Sequence, residues 1–346
     1  MNILILTQVV DTQHPILGFF HRWIVEFSLH YEHVYVICLE AGTYDLPSNV
    51  TVYSLGKEQN VGRLKYLYRF FTTIWHLRSK TVHVFVHMNQ IYIILGALLW
   101  RWWGMRVGLW YTHGTVSRSL RMAEKLTHYI FTASVEGCQL VSEKIVITGH
   151  GIDTVTFSPQ IIPKNIDLIT VGRITRSKNL HTLINAVRDL QPLTQSSLTI
   201  VGVAITASEK SYLNQLHEQI KAYKLTDQIH FIGAVSQIDL PNVLQQSRIF
   251  VTMAQNGSLD KAILESMAVG LPIVSTAPGS KSVPLGTAQV TNQADFVAHV
   301  CRIYSLNTGS NIEYQQYVKK EHSLSSLIPK IVSVYGGELE SKKVNF

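Results

Sequence analysis

The stretch 250–279, FVTMAQNGSLDKAILESMAVGLPIVSTAPG, constrains the fold of this chain more than any other. An apolar run at 249–253 gives way to a polar, glycine-containing loop and then to a helical pattern. Ala262, Ile263, Leu264, Met267 and Ala268 recur at spacings that give a helix a buried side, and Glu265 interrupts them. Gly270 and Pro272 break the pattern, and a second apolar run occupies 271–274. Strand, loop, helix and strand in this order predict one unit of an α/β domain. Glu265 then stands on a helix beside the loop at a strand's C-terminal end, where open α/β sheets hold their ligands. The same spacing also allows it to sit on a solvent face.

The rest of the chain repeats this grammar. In the first half, strands are predicted at 3–10, 35–39, 50–55, 82–86, 107–111 and 129–133. Helices are predicted at 19–30, 62–80, 90–103, 117–128 and 135–142. In the second half, strands at 168–171, 197–203, 228–232 and 249–253 alternate with helices at 180–188, 209–224 and 239–246. Helices at 293–304 and 324–335 follow. A chain of 346 residues is too long for one ordinary α/β core. The glycine-bracketed turn Gly149-His150-Gly151-Ile152-Asp153, with Pro159 and Pro163 after it, marks the boundary between domains at 1–158 and 159–323.

Composition narrows the partners. The formal net charge of +7 favours nucleotide phosphates, acidic lipid headgroups or nucleic acid, and no arginine-rich run or nucleic-acid module supports the last. Helix 62–80 mixes aromatics with Arg63, Lys65, Arg69, Arg78 and Lys80, and helix 90–103 runs into the sequence RWWGMR. This combination suits peripheral contact with an anionic membrane, and it equally suits a core helix with a solvated basic rim. The greasy stretch 91–103 is too short to span a bilayer. The N-terminal run reads as a first strand rather than a signal peptide. Cys38, Cys138 and Cys301 make no metal-ligand spacing, so a reduced, cytoplasmic setting is expected.

Three loops carry candidate chemistry. Gly18, just before a helix, allows a backbone to approach an anion, although no GxGxxG fingerprint surrounds it. His113 follows a buried strand, but the chain has 15 histidines and any one has a low prior of acting. After the strand at 168–171 come Gly172-Arg173 and then Ser177-Lys178-Asn179 at a helix start. A strand end, a glycine turn, a helix N-terminus and two cations could converge on a diphosphate; a solvated basic loop is the bland alternative.

Taken together, Gly172-Arg173…Lys178-Asn179 and the later Leu264-Glu265-Ser266-Met267-Ala268-Val269-Gly270-Leu271-Pro272 resemble the retaining, nucleotide-sugar-dependent group 1 (family 4-like) glycosyltransferases. That resemblance is strongest over 142–279. It implies a GT-B fold, two Rossmann-like domains with a cleft between them, and a final segment 324–346 that crosses back to the first domain. It implies that Arg173 and Lys178 bind the donor diphosphate and steady the leaving group, that Glu265 bonds the nucleotide ribose, and that Gly18 admits phosphate or sugar to backbone amides. His113 resembles the histidine that reaches the transferred sugar. The turn at His150 resembles the family's junction turn.

One departure stands out. The family commonly carries two glutamates with seven residues between them, and Gly257 occupies the first position. Donor-sugar contacts are then expected from backbone amides of Asn256, Gly257, Ser258 and Leu259, or from the side chains of Asp260 or Lys261, although Asp260 should face elsewhere once the helix has begun. The implied activity is a retaining hexosyl transfer from a nucleoside diphosphate-sugar, a UDP-sugar among the candidates, to a saccharide or lipid-linked saccharide acceptor in surface polysaccharide or glycolipid synthesis. No cofactor or metal is expected, since no Asp-x-Asp pair is present and the basic pair can balance the phosphates. The rival readings are an inactive nucleotide-sugar-binding subunit of a polysaccharide assembly complex, or a related epimerase or phosphorylase.

Overall fold

The computed structural model describes residues 1–255, 257–306 and 310–337 and divides into two compact units. The first comprises Met1–Asp153 and the chain from His322 onward; the second is Thr154–Glu321. Both are parallel α/β sheets of the Rossmann-like kind.

In the first unit β1 (Asn2–Val10), β2 (His33–Ala41), β3 (Val50–Ser54), β4 (His83–His87), β5 (Arg106–Trp110), β6 (Tyr129–Thr132) and β7 (Ile145–Ile147) form one sheet in the order β3-β2-β1-β4-β5-β6-β7. Helices α1 (Phe20–Ser28), α2 (Arg63–Leu77), α3 (Gln90–Trp102) and α4 (Arg118–Leu126) connect the strands. Successive strand residues serve opposite faces. Leu4 and Leu6 join the core under α2, α3 and α4, while Ile3 and Ile5 join the core under α1. A sheet covered on both sides needs continuous apolar strands, which is why ILILTQVV has no alternation.

In the second unit β8 (Ile166–Val171), β9 (Leu198–Val201), β10 (Ile229–Gly233), β11 (Ser247–Thr252) and β12 (Ile273–Ser275) pair in the order β10-β9-β8-β11-β12. Its helices are α5 (Leu180–Thr194), α6 (Ala207–Ala222), α7 (Leu240–Gln245), α8 (Lys261–Ala268), α9 (Gln293–Leu306) and α10 (Ile312–Tyr317). The last helix, α11 (Leu324–Gly336), belongs to the first unit and packs beside α1. Residues 338–346 of the segment expected to cross back lie outside the described residues.

The chain leaves the first unit and returns to it through adjacent strands of backbone. The Ile152 N–H donates to the His322 carbonyl at 2.7 Å, and the Leu324 N–H donates to the Ile152 carbonyl at 2.8 Å. Gly151 has φ of +67°, and a Cβ there would meet the buried Trp23 ring at 2.6 Å. The glycine bracket is therefore a packing requirement as well as a turn.

One expected helix is absent. Residues 135–142 form turns and irregular backbone. The Ser134 carbonyl and hydroxyl both accept from the Gly137 N–H at 3.1 Å, and this local bond competes with a helical ladder.

Candidate functional site

The order of strands in the second sheet reverses between β8 and β11, which makes their C-terminal ends the topological switch point where such sheets leave a crevice. Both expected motifs lead out of these two strands. From β8 the chain enters Gly172 at φ +150° and then a short 3₁₀ turn, Arg176–Lys178. Asn179 follows in the left-handed region at φ 54°; its carboxamide oxygen accepts from the Thr182 hydroxyl at 2.8 Å as α5 begins. From β11 the chain passes through 253–260 into α8, and the Gln255 N–H donates to the Ser177 carbonyl at 2.8 Å, tying the two loops together.

The geometry explains each small residue here. A Cβ on Gly172 would stand 2.7 Å from Lys178 Cε and 2.9 Å from its Nζ, so the bare glycine lets the lysine lie across the strand end. A Cβ on Gly202, at the end of the neighbouring β9, would stand 1.9 Å from the Gly172 carbonyl oxygen. A Cβ on Gly279 would press within 2.3 Å of the Ser258 carbonyl oxygen. These glycines permit close approach of backbone in a crowded crevice.

Both cations have internal partners. The Lys178 ammonium is ion-paired with the Asp260 carboxylate, and both side chains are largely buried. Asp260 is the N-cap of α8, with its other oxygen accepting from the Ala262 N–H at 3.3 Å. Asp260 precedes the helix, so the condition under which it was expected to face elsewhere is not met: capping holds its side chain back over the helix start, beside Lys178. The half-exposed Arg173 guanidinium pairs with Glu209 in the first turn of α6. Glu209 closes a capping box with Thr206. The N–H of Thr206, the Arg173 guanidinium and the N–H of Ile205 hold its carboxyl down to about 2. Thr206-x-x-Glu209 was legible as a capping box in the sequence, yet its partnership with Arg173 was missed.

Glu265 is buried within α8, so the solvent-face alternative fails. Its Oε1 lies 2.9 Å from the Lys261 ammonium one turn earlier, and Lys261 also donates to Gln237 Oε1 at 3.2 Å. Lys261 thus faces Glu265 and Gln237. Leu259 is buried, Ser258 is half-buried and Gly257 is exposed, with nothing within 4 Å of where a Cβ would stand. Asn256 lies outside the described residues.

The structure brings Gly172, Arg173, Lys178, Asp260, Lys261 and Glu265 to the strand-end side of the second unit. Gly18 and His113 belong to the first unit. A Cβ on Gly18 would meet the carbonyl oxygens of His14 at 2.8 Å and Thr12 at 2.9 Å, so the loop's own closure already requires glycine. His113 is exposed in the loop after β5, and its Nδ1 accepts from the Thr115 N–H at 3.2 Å. The first sheet reverses its order between β1 and β4. At the end of β4 lie two residues the sequence did not single out: His87, buried and stacked on Phe20 at 4.1 Å, and Met88, held at φ 63°. A non-glycine residue in that region marks a locally constrained backbone. No group of three or more His, Cys, Asp or Glu that could hold a metal occurs among the described residues.

Residues 152–285 match the family model described as glycosyl transferases group 1. A protein of Escherichia coli K12 named as a colanic acid biosynthesis glycosyltransferase, WcaL, is 28% identical over 144 residues, which cover 39% of this chain and 34% of that protein. The match therefore spans about a third of that relative's length. Anabaena HepE, solved in complex with UDP-glucose, superposes with a TM-score of 0.75 at 16% identity, covering 97% of this chain and 100% of that one. A UDP-GlcNAc 2-epimerase from Methanocaldococcus jannaschii superposes at 0.62 with 14% identity, covering 97% of this chain and 100% of that one. At such identities these likenesses speak for fold alone. Residues 152–285 are thus similar to the group 1 glycosyl transferases, and the chain has a GT-B-type fold of two Rossmann-like units.

Proposed function

We propose that this chain transfers a sugar from a nucleoside diphosphate donor to an acceptor hydroxyl with retention of anomeric configuration, in the synthesis of a surface polysaccharide or glycolipid. The observation that carries this reading is Lys178 lying across the Gly172 turn at the switch point of the second sheet, paired with a carboxylate from the neighbouring loop. An internal anion already occupies the position that a donor phosphate needs. Arg173 stands on the same loop, and charge that develops on a departing diphosphate would be stabilised by this pair. Glu265 is the candidate ribose partner. The names of the relatives support transfer over epimerisation, and the UDP-glucose complex of a protein with this fold supports a UDP-sugar among the donors to try first.

On this reading no metal is needed, because two cationic side chains face the phosphates. The acceptor is a saccharide, free or carried on a lipid. A thermal-shift panel of nucleotides and nucleotide sugars on purified protein, followed by transfer with labelled donor, tests the proposal. Stabilisation by one nucleoside diphosphate, unaffected by chelator, is expected, with labelled sugar passing to an acceptor. Glu265→Gln should weaken nucleotide binding with little change in stability. No response to any nucleotide would overturn the reading, and conversion of donor to its epimer without transfer would replace it. Binding without transfer or hydrolysis would favour the inactive-subunit alternative, which the glycine at 257 motivates.

A further inference from the structure

Helix α2 carries two apolar stripes. Phe70, Ile74 and Leu77 are buried in the core of the first unit. Leu64, Tyr68, Phe71 and Trp75, spaced i, i+4, i+7 and i+11, form a second stripe that faces outward; Leu64 is 83% exposed and Trp75 53%. Helix α3 repeats the arrangement. Tyr92, Ile93, Ala97 and Trp100 are buried, while Leu98 and Trp102 are exposed, Trp102 at 76%. The two helices are neighbours: Phe70 meets Trp100 with ring centroids 6.1 Å apart, and Trp75 meets Trp103 at 5.8 Å. Six large apolar side chains exposed on two adjoining helices are unusual for a surface without a partner.

Charge identifies the partner. Between Glu58 and Glu124 the sequence has no acidic residue, and it has nine Lys and Arg. Lys65 and Arg63 flank the outward stripe of α2, and the Arg78 guanidinium sits over the Trp75 ring at 4.4 Å. Arg118, Arg121 and Lys125 are exposed on α4, which packs against α3. A second copy of the chain docking symmetrically on this face would set like charges against one another. A lipid surface with anionic headgroups satisfies both the apolar stripe and its cationic flank. Helix α3, with 13 residues, is about 20 Å long, short of the ~30 Å hydrocarbon core, and no described helix is long and apolar enough to cross a membrane.

We propose that the outward face of α2 and α3 is a lipid-docking surface. It lies in the plane of an anionic membrane, with Leu64, Tyr68, Phe71, Trp75, Leu98 and Trp102 among the acyl chains and the basic flank at headgroup level. This goes beyond the donor reading and does not depend on it.

The test is co-sedimentation of the full chain with vesicles of phosphatidylcholine alone and of phosphatidylcholine mixed with phosphatidylglycerol. Binding to the mixed vesicles at low salt, little binding to the neutral ones, and release by added salt are expected. The triple variant Leu64→Ser/Tyr68→Ser/Trp102→Ser should lower partitioning about ten-fold or more while keeping the wild-type melting temperature, because most of each of these side chains stays in water until docking. A second variant, Lys65→Glu/Arg78→Glu, should lose anionic selectivity. No sedimentation of wild-type protein with anionic vesicles overturns the proposal. Equal sedimentation of wild type and the triple variant also overturns it, as does a wild-type dimer in gel filtration that the triple variant converts to monomer. The thermal-shift panel reads the donor site separately, so failure of one proposal leaves the other standing.

Discussion

Lys178 and Asp260 form an ion pair, and on the proposed function the carboxylate takes the place of an arriving phosphate. Asp260→Asn removes that competing charge and keeps the cap, since asparagine caps helices as well as aspartate. Nucleoside diphosphate should then bind more tightly, by about 1 kcal/mol or roughly five-fold, as read by calorimetric titration. Weaker binding would show instead that Asp260 contacts the donor. Lys178→Ala should cut turnover by roughly ten- to a thousand-fold in a labelled-donor assay, the scale for losing a strong electrostatic contact to the transition state. Gly257 is the sharper probe of the sugar site. Nothing lies within 4 Å of its added Cβ, so Gly257→Glu should leave stability within about 0.5 kcal/mol in denaturant titration. A change in donor-sugar preference by that variant would place the missing carboxylate at the sugar; unchanged preference across a donor panel would place it elsewhere. At this scale the sequence named the basic pair and Glu265 but not their partners. Ion pairs spanning 36 residues (Arg173–Glu209) or 82 residues (Lys178–Asp260) leave no periodic trace.

Among the elements, β4 and α11 show how a buried polar group can tie a returning helix to a sheet. His83, in β4, stacks on Tyr335 of α11 at 4.6 Å, and its Nδ1 lies 3.0 Å from the Tyr31 hydroxyl. Tyr335 in turn donates to the Val84 carbonyl at 2.7 Å. Burial first, and the Arg106 charge second, push the His83 imidazole down to about 4 from its usual 6.5. The unfolded chain therefore binds a proton at His83 below pH 6.5, and the folded chain binds it only below about 4. Its contribution to stability is complete above pH 6.5 and is lost as pH falls through that window toward 4. Melting temperatures measured from pH 7 to 4 should fall less steeply in His83→Phe than in the wild-type protein; parallel slopes would assign the acid sensitivity to other groups. Most elements were legible because strands covered on both faces read as short unbroken apolar runs, while the buried faces of helices repeat every three to four residues. The turn at 135–142 was misread because its apolar spacing mimics a helix while Ser134 bonds the Gly137 backbone.

On the scale of the whole molecule, the first unit is built from two distant pieces of chain. Leu327, Ile328 and Ile331 of α11 are fully buried with Phe20, Trp23 and Ile24 of α1. Leu327→Ala or Ile331→Ala should each cost about 2–5 kcal/mol, seen as a lower melting transition. On the proposed function, nucleotide binding should survive at temperatures below that transition, because Arg173, Lys178 and Glu265 lie in the other unit. Loss of binding together with an unshifted melt would contradict this division. The order of apolar runs, glycines and prolines was enough to determine two α/β units, their strand and helix alternation, and the loops at which cations and a carboxylate emerge. These are local properties, fixed by side-chain periodicity and backbone freedom. Tertiary structure decided what those loops do to one another. Asp260 neutralises Lys178, Glu209 holds Arg173, and the second apolar stripes of α2 and α3 remain outside the core. Each of these depends on how neighbouring strands are ordered and which helix face a sheet covers, and no stretch of sequence contains that information by itself.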